Sequence, residues 1–379
     1  MIQKQDISAI PEQSATPDIK HSSKVKFDKN SDFQIELRRR VDELFQSTGR
    51  RKRDCPQMYV KTVALLVILA TTYTLLVFGA QTWWQAIPLS ILLGLSMAEI
   101  GFNIQHDGGH QAYSNSAWIN KLMSMTLDLI GGSSYNWHWK HIVFHHTYVN
   151  ITKHDTDLDI GIFGRLTPYQ KHFPFHRWQH YYLWILYGLI AIRWHFYDDF
   201  HNVLLGRISE RRYPRPTGWD LVVFLGGKAL FFTLAFGIPL QFHSLWVVLS
   251  FYCLTMFVLG LFLSVVFQLA HTVEEAAFIV PQHDTKQIDT AWAIHQVETT
   301  VNFSKHNRVM TWLLGGLNFQ VEHHLFPKIC HVNYPFMSKV VMATCQEFGV
   351  NYVQHPSFWA GVTSHFRWLR RMGTLNTTP

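Results

Sequence analysis

Histidine is the residue type that stands out in this chain. The sequence contains 23 histidines against 10 methionines, and several histidines are clustered beside apolar segments. The segment HDGGH places His106 and His110 four residues apart, so a continuing helix would put both imidazoles on one face. The segment HWKHIVFHH repeats this spacing with His141 and His145, and His146 follows directly. Imidazoles grouped in this way can bind metal ions.

Two further clusters lie later in the chain. FQLAHTVEE places Gln268 and His271 three residues apart, and QVEHHLFP contains Gln320 with His323 and His324. A single histidine near an apolar helix is usually a hydrogen-bonded packing residue, but four separate clusters weaken that interpretation. A buried pocket of neutral imidazoles without a cation would gain little for its desolvation cost. The pattern therefore predicts a metal site.

The number of imidazoles indicates how many metal ions to expect. Seven or eight imidazoles exceed what one tetrahedral zinc ion would use, so we predict two metal ions. Zinc, copper, iron and nickel all bind imidazole, so the ligands alone leave the element open. Nitrogen ligands with few carboxylates at the mouth of a membrane bundle favour redox chemistry on a lipid-borne substrate. Neighbouring polar residues could orient the ligand imidazoles: Glu99, Asn103, Asp107, Gln268, Glu322 and His154.

The composition predicts the elements that must position these residues. Of the 379 residues 48% are apolar and only 16% are charged, below the roughly 25% usual for soluble domains. Two long apolar zones each have room for two membrane spans of about 20 residues, joined by short turns. We predict an all-α membrane protein with four transmembrane helices in two hairpins, at about 58–79, 84–104, 219–240 and 245–270.

The basic residues predict the orientation of the spans. Residues 62–120 and 229–285 contain no Lys or Arg, whereas basic blocks flank the apolar zones. The positive-inside rule then places both termini in the cytosol, at a bacterial inner membrane or an endoplasmic-reticulum-type membrane. We expect a polar, partly disordered cytosolic N-terminal segment (1–57), a membrane domain (58–350) whose cytosolic helical cap (105–218 and 271–350) holds the two metal ions, and a cytosolic C-terminal tail (351–379).

Two features of the apolar sequence leave alternatives open. The segment 181–200 could be a fifth span, but Arg193, Asp198 and Asp199 favour a helix on the membrane surface. Lys228 lies inside the predicted third span and needs a partner there. That partner could be Glu99 or the substrate head group, and we expect structural pairing.

The histidine clusters resemble the three histidine boxes of membrane fatty-acid desaturases. HDGGH, HIVFHH and QVEHH occur in the family's order, the resemblance covers about 58–350, and GGLNFQVEHHLFP is its most specific piece. Gln320 in the third box and KHIVFHHTYVNITKHDTDLDIG resemble the front-end branch and the bacterial acyl-lipid or acyl-CoA desaturases near it. The resemblance implies two iron ions bound by His106, His110, His141, His145, His146, His271, His323 and His324, with Gln320 where many relatives have a further histidine.

The resemblance also implies a reaction and its partners. Such an enzyme introduces a cis double bond into the fatty-acyl chain of a lipid or acyl-CoA, with dioxygen as co-substrate. The sequence has no HPGG haem motif, so we expect electrons from a separate ferredoxin or cytochrome b type donor. The basic blocks at 38–53 and 211–215 could dock an acidic donor, or could orient the spans and attract anionic membrane lipid. We expect no nucleic-acid partner.

Several alternatives stay open at this point. A hydroxylase, or a sphingolipid or carotenoid desaturase, could use the same scaffold. A haem-binding electron carrier or a metal transporter would be a different class of protein. His138 has the spacing of a ligand but no counterpart among the family's ligands. For His154 the pattern favours a surface position no less than contact with a ligand.

Overall fold

The computed structural model describes residues 26–28, 31–280 and 287–375. Within this part, four helices are long and apolar enough to cross a membrane, which confirms the prediction of four spans in two hairpins. The second span runs five residues beyond its predicted end because the helix continues through the first histidine cluster. The four candidate spans are Pro56–Gly79, Trp83–Gly109, Gly218–Gln241 and Leu245–His271.

The described residues form a mainly helical structure with three two-stranded pairings. The strand pairs are β1 with β4, β2 with β3, and β5 with β6. The helices are α1 (Asp32–Thr48), α2 (Pro56–Thr74), α3 (Trp83–Ile100), α4 (His106–Gly109), α5 (Ala117–Ser124), α6 (Thr126–Leu129), α7 (Ser134–Trp137), α8 (His146–Tyr148), α9 (Gln179–Arg193), α10 (Asp199–Leu205), α11 (Gly218–Phe232), α12 (Leu245–His271), α13 (Trp292–Glu298), α14 (Arg308–Leu313), α15 (Gln320–Leu325), α16 (Tyr334–Glu347) and α17 (Phe358–Thr374). The strands are β1 (Lys26–Asp28), β2 (Arg207–Ile208), β3 (Arg211–Arg212), β4 (Gln287–Ala291), β5 (Asn302–Phe303) and β6 (Gln354–His355).

The second and fourth spans form the centre of the bundle. In their most apolar stretches 67% and 56% of the residues are buried, against 22% in the first and third spans. Helix α3 packs between α2 and α12, and it approaches α12 so closely that a Cβ on Gly94 would lie 2.5 Å from the Thr255 carbonyl oxygen. The inner spans are therefore the ones that carry ligand candidates out of the membrane.

The segment 181–200 forms α9 and the helical turn after it, and it is not among the candidate spans. Helix α9 packs along α12, where a Cβ on Gly260 would lie 2.7 Å from the Gly188 carbonyl oxygen. Its opposite face leaves Tyr181 and Ile185 about 60% exposed, as is typical of a helix that touches lipid. Within the described residues the fifth-span alternative is therefore not supported.

The N-terminal segment contains an ordered helix that the polar composition concealed. Helix α1 buries Phe33, Leu37, Val41 and Phe45, which recur every fourth residue and so form one apolar stripe. This stripe packs against α16 and α13. Residues 1–25, on which the expectation of partial disorder also falls, lie outside the described residues.

The C-terminal segment also belongs to the packed domain rather than forming a separate tail. Helix α17 buries Trp368, Leu369 and Met372 against α9 and α12. The Met372 carbonyl oxygen accepts a hydrogen bond from the buried Arg165 guanidinium at 2.6 Å. The basic residues of this segment had suggested a tail, but its apolar face needs a partner.

Lys228 is paired within the protein, as expected, but with a different residue. Its Nζ lies 2.6 Å from Asp199 Oδ2 and 2.6 Å from the Gly131 carbonyl oxygen. The predicted partner Glu99 instead accepts a hydrogen bond from Asn103. The pairing joins the third span to the segment around α10.

Candidate metal centre

The first histidine cluster lies where the second span ends. A π-helical turn, Gly101–Gln105, carries the span into α4, so His106 and His110 project from one continuous helix end. Their ring centroids are 4.7 Å apart and both side chains are buried. A Cβ on Gly109 would lie 2.3 Å from the Trp137 ring, so the glycine lets the first and second boxes approach each other.

The second box adopts π-helical geometry over His138–His145. In a π-helix residues five apart are neighbours, and such segments are frequent at functional sites. His141 and His146 therefore meet, with their Nε2 atoms 3.3 Å apart. His145 turns toward the fourth span, where its ring centroid lies 4.7 Å from that of His271. The sequence pattern had placed His141 and His145 together on a regular α-helix.

The third box sits on the short helix α15, directly after a tight glycine turn. Gly315 and Gly316 have φ angles of +56° and +69°, in the left-handed region that glycine adopts without strain. A Cβ on Gly315 would lie 2.4 Å from the Phe102 carbonyl oxygen. This close contact with the second span brings His323 and His324 against the first box.

The imidazoles converge in two groups of ring nitrogens. Within each group the nitrogens lie within 4.8 Å of one another, and His146 is within the same distance of both His323 and His324. Its Nε2 lies 3.0 Å from His323 Nε2. Nitrogen atoms bound to one ion at about 2.1 Å would lie about 3–3.5 Å apart, so this spacing suits shared ions. The first metal cluster is His106, His110, His141 and His323, and the second metal cluster is His145, His271 and His324.

The orientation of His145 is fixed by a carboxylate. Its Nδ1 lies 3.0 and 3.1 Å from the two oxygens of Asp155, and an ionised carboxylate can only accept hydrogen bonds. The proton of the neutral ring is therefore on Nδ1, and the Nε2 lone pair faces the second metal cluster. This Nε2 is buried and has no hydrogen-bond partner among the described residues.

The orientation of His324 is fixed by an amide. Gln296 donates from Nε2 to the His146 carbonyl oxygen at 3.1 Å, so its Oε1 faces His324 Nδ1 at 2.9 Å. His324 must donate from Nδ1, which leaves its Nε2 lone pair directed inward. The Nε2 lone pairs of His145 and His324 thus point into the same buried space, and a cation is the chemical group that this arrangement accommodates. The residues present fit a bound metal ion.

The protonation of the imidazoles favours ligand binding in most positions. Burial is the main cause of lowered pKa values, and neighbouring imidazoles lower several of them further. Burial acts on His145 as well, but the carboxylates of Asp155 and Asp157 together outweigh it, so the pKa of His145 lies above the usual value. The pKa is lowered at His110, His141, His146, His323 and His324.

Gln320 lies within reach of the second metal cluster. Its side-chain amide is 2.9 Å from His271 Nε2 and 3.3 Å from His324 Nε2. The other amide atom, Oε1, is buried without a hydrogen-bond partner among the described residues. The amide therefore occupies a place where a further imidazole could stand.

Comparison with known proteins agrees with this geometry. A model of the fatty acid desaturase family matches residues 81–356, which include every histidine of both clusters. The chain belongs to the fatty acid desaturase family. It is 38% identical over 353 residues to the sn-1 linoleoyl-lipid 6-desaturase of Arthrospira platensis, covering 93% of this chain and 95% of that protein. The 6-desaturase of the same name from Synechocystis is 36% identical, covering 93% of this chain and 98% of that protein. An acyl-lipid (8-3)-desaturase of Physcomitrium patens is 34% identical over 91% of this chain and 72% of that protein.

These relatives identify the class of reaction. The protein is an oxidoreductase of the desaturase type, and the names of its relatives agree with the front-end branch indicated by the third box. The resemblance drawn from the three boxes is therefore confirmed.

Two predicted partners of the ligands lie beside the first box of the desaturase. Asp107 Oδ2 accepts hydrogen bonds from His331, including one from Nδ1 at 2.9 Å. Glu99 accepts one from Asn103 Nδ2 at 2.9 Å, and the same amide also reaches the Leu313 carbonyl oxygen. The expected contact from Glu99 to a ligand imidazole is thus replaced by a link between the second span and α14.

The other predicted partners are placed differently from what the pattern suggested. Gln268 accepts a hydrogen bond from Thr272, and Glu322 accepts one from the Tyr352 hydroxyl at 2.7 Å. His154 packs its ring on Tyr148, and its Nδ1 lies 3.1 Å from a backbone carbonyl oxygen. Each of these contacts joins the residue to a partner other than a ligand candidate.

The residues that do orient the ligand candidates were missed from the sequence. Asp155 follows His154 directly in KHDTD, so this segment pointed to the right place but the wrong side chain. Gln296 and Tyr334 occur in stretches without any repeated pattern. Asn150 was missed too, although its buried amide joins the second box to the fourth span by donating to the His271 carbonyl oxygen at 2.8 Å.

Replacement of Tyr334 by Phe is expected to weaken the first metal cluster. The hydroxyl lies 3.1 Å from His323 Nδ1, and both side chains are almost fully buried. Without it the Nδ1–H of a metal-bound His323 has no acceptor, so metal affinity or turnover should fall about 10- to 100-fold. Metal content and product formation of the purified variant test this. Tyr59→Phe, an exposed tyrosine, should leave both unchanged, and full retention of both by Tyr334→Phe would contradict the assigned contact.

Proposed function

We propose that this desaturase binds two iron ions in the two metal clusters and uses them to introduce a cis double bond into a lipid-bound fatty-acyl chain. The single observation that carries the proposal is the convergence of eight buried imidazoles from four separate segments. The proposed ligands are His106, His110, His141, His145, His146, His271, His323 and His324, with Gln320 at the second metal cluster.

The side chains around the clusters support iron binding rather than haem binding or transport. The donors surround two adjacent points at the rim of the spans, and the outer nitrogens (Nδ1) of His145 and His324 are fixed by Asp155 and Gln296. Such outer contacts set the tautomer and orientation of ligand histidines. A haem carrier would instead need axial imidazoles on facing helices within the bilayer, and a transporter would need polar donors at its mid-plane.

The chemistry needs a cofactor because desaturation removes hydrogens from two adjacent unactivated methylenes. When bound, the iron pair supplies the oxidising power that dioxygen and two electrons make available, which no side chain can provide. The protein's own part is to hold the ligands rigidly and to exclude water from them. All eight imidazoles are at most 7% exposed.

The proposed substrate is a linoleoyl chain carried on a membrane lipid. Support comes from the two 6-desaturases, which match 93% of this chain and nearly the whole of their own length. The apolar spans would keep such a substrate beside the clusters. We also propose that both termini and the metal centre lie in the cytosol. The basic blocks precede the first and third spans, on the same side as the ends of the second and fourth spans from which the histidines emerge.

The product test is expression in a host that lacks polyunsaturated lipids of its own and is supplied with linoleic acid. Analysis of the host fatty acids by mass spectrometry should show a new product two hydrogens lighter than its precursor, with the double bond on the carboxyl side of the existing ones. Gain of one oxygen would identify a hydroxylase instead. A His145→Ala variant of equal abundance is the control, and new product from it would contradict the proposal.

The proposed electron donor is an acidic ferredoxin or cytochrome b type protein that docks near the start of the first span. Arg50, Arg53 and Lys328 form a cationic patch there, since Arg53 donates to the Lys328 carbonyl oxygen at 2.9 Å. No salt bridge engages these three side chains within the part of the chain that the structure describes. Arg50 lies over the ring of Phe336, two residues along the chain from Tyr334, whose hydroxyl lies 3.1 Å from His323 Nδ1.

Reversal of charge at this patch is expected to weaken the reaction through the donor. The double variant Arg50→Glu and Arg53→Glu should raise the KM for a reduced acidic ferredoxin about 10-fold or more at low salt, with little change in kcat at saturation. Since surface electrostatics are screened by ions, the difference should shrink at high salt. Reversal of Arg207 and Arg212, exposed arginines of the paired strands β2 and β3 at the other basic block, is the charge-matched control. An equal effect of both variants would place the docking surface elsewhere.

A further inference from the structure

A separate set of metal-ligand residues lies beside the first histidine box. Asp107, Cys330 and His331 each have a potential ligand atom within 4.8 Å of the others. All three side chains are at most 2% exposed. A fourth residue, Cys55, is 5% exposed, and its thiol pairs with that of Cys330. The set shares no side chain with the two metal clusters.

Asp107 and His331 are spaced like two ligands of one ion. His331 Nδ1 and Asp107 Oδ2 lie 2.9 Å apart, and two atoms bound to one zinc ion at about 2.1 Å would lie about 3–3.5 Å apart. The His331 backbone N–H also donates to Asp107 Oδ2 at 3.2 Å, which holds the carboxylate in place. A zinc ion bound by both side chains would replace the hydrogen bond between them.

The surroundings of Cys55 suit a bound thiolate. Asn333 donates from Nδ2 to Cys55 Sγ at 3.7 Å, and the same nitrogen donates to the Arg51 carbonyl oxygen at 3.0 Å, which fixes the amide. An N–H group directed at sulfur stabilises a thiolate ligand in the way that outer contacts support other metal ligands. The pair of thiols therefore has a donor on its outer side.

We propose that Cys55, Cys330, His331 and Asp107 bind one zinc ion, distinct from the metal clusters of the histidine boxes. Two sulfurs, one imidazole and one carboxylate give the four donors of a closed tetrahedral zinc site. Thiolate ligands also distinguish this set from the all-imidazole clusters and favour zinc over a second iron pair.

A zinc ion here would join three distant parts of the chain. Cys55 caps the start of α2, Asp107 lies in α4 between two ligand candidates, and Cys330 follows α15. The ion would thus hold the first and third histidine boxes at a fixed separation. Structural zinc sites of this kind contribute directly to folding stability.

The test is the metal content of the full-length protein, purified in detergent from cells supplied with iron and zinc. Elemental analysis should give about one zinc ion per chain in the wild type, and Cys330→Ala and Cys55→Ala should each lose it. Cys253→Ala, which removes an exposed cysteine of the fourth span, should keep it. Growth with cadmium in place of zinc should give a thiolate-to-metal absorption band that both of the first two variants lack.

The histidine variants separate this proposal from that of the iron clusters. His145→Ala should lose iron and keep zinc, so failure of the iron proposal would leave the zinc result readable. Absence of zinc and cadmium from the wild type would overturn the inference. So would equal zinc in the wild type and Cys330→Ala, or a disulfide between Cys55 and Cys330 found by mass spectrometry of the unreduced protein.

Discussion

Replacement of His323 by Ala is expected to abolish desaturation and to lower the iron content of the purified protein by at least half. His323 belongs to the first metal cluster, and its Nε2 also lies 3.0 Å from that of His146, which borders the second. Loss of this imidazole therefore removes a donor next to both proposed ions. The side chain is fully buried, so water can replace it only in a cavity that the substitution itself creates.

The measurements are product analysis in the expression host and iron per chain after purification. His138→Ala is the matched control, because His138 belongs to the second box by sequence but no metal cluster contains it. That variant should keep both iron and activity. Normal product from His323→Ala at equal protein abundance would remove the residue from the ligand set and with it the shared position between the clusters.

The arrangement of the spans could be predicted because it depends on averages over many residues. Two apolar zones of known length, a gap in basic residues and the two-fold repetition of a hairpin define four helices whatever their packing. The apolar stripe of α1 was present in the sequence as well. It was overlooked because the segment's mean composition is polar, whereas only Phe33, Leu37, Val41 and Phe45 make the contact.

The histidine boxes could be found in the sequence for a different reason. Their ligand candidates are of one residue type and occur in dense groups. What spacing alone did not provide was their division between two clusters. On a regular α-helix His141 and His145 would share a face, whereas in the π-helical second box the His141 ring lies near both His145 and His146. His141 and His145 belong to different clusters, and His146 lies between the two.

The contacts that orient the ligand candidates could not be predicted from sequence because they form between distant segments. Gln296 reaches His324 across 28 residues, and Asn150 reaches the His271 carbonyl oxygen across 121. No local period marks such a residue, since a single hydrogen bond places no demand on its neighbours in the chain. Asp155 is the nearest to an exception, being ten residues from His145 in a segment rich in carboxylates.

Replacement of Asp155 by Asn is expected to lower the metal affinity of the second cluster, or the turnover of the enzyme, about 10- to 100-fold. Three donors converge on this carboxylate: His145 Nδ1 at 3.0 Å, the Asn150 backbone N–H at 2.9 Å and the Asp157 backbone N–H at 2.9 Å. An amide of the same shape has one oxygen and one NH2 group, so at least one donor would face another donor in a buried site. The imidazole would then turn, or would place its proton on Nε2, where it blocks metal binding.

Iron retention against a competing chelator, measured together with product formation, tests this expectation. Asp159→Asn is the control, since Asp159 is an exposed carboxylate four residues further along that caps a loop nitrogen and lies away from the clusters. If Asp155→Asn merely destabilised the fold, thermal unfolding would shift while the folded fraction kept its iron as firmly as the wild type. Loss of iron from protein that still migrates as a single folded species is the result that ties Asp155 to His145. Unchanged retention and turnover would show that the tautomer of His145 is fixed by the metal itself rather than by the carboxylate.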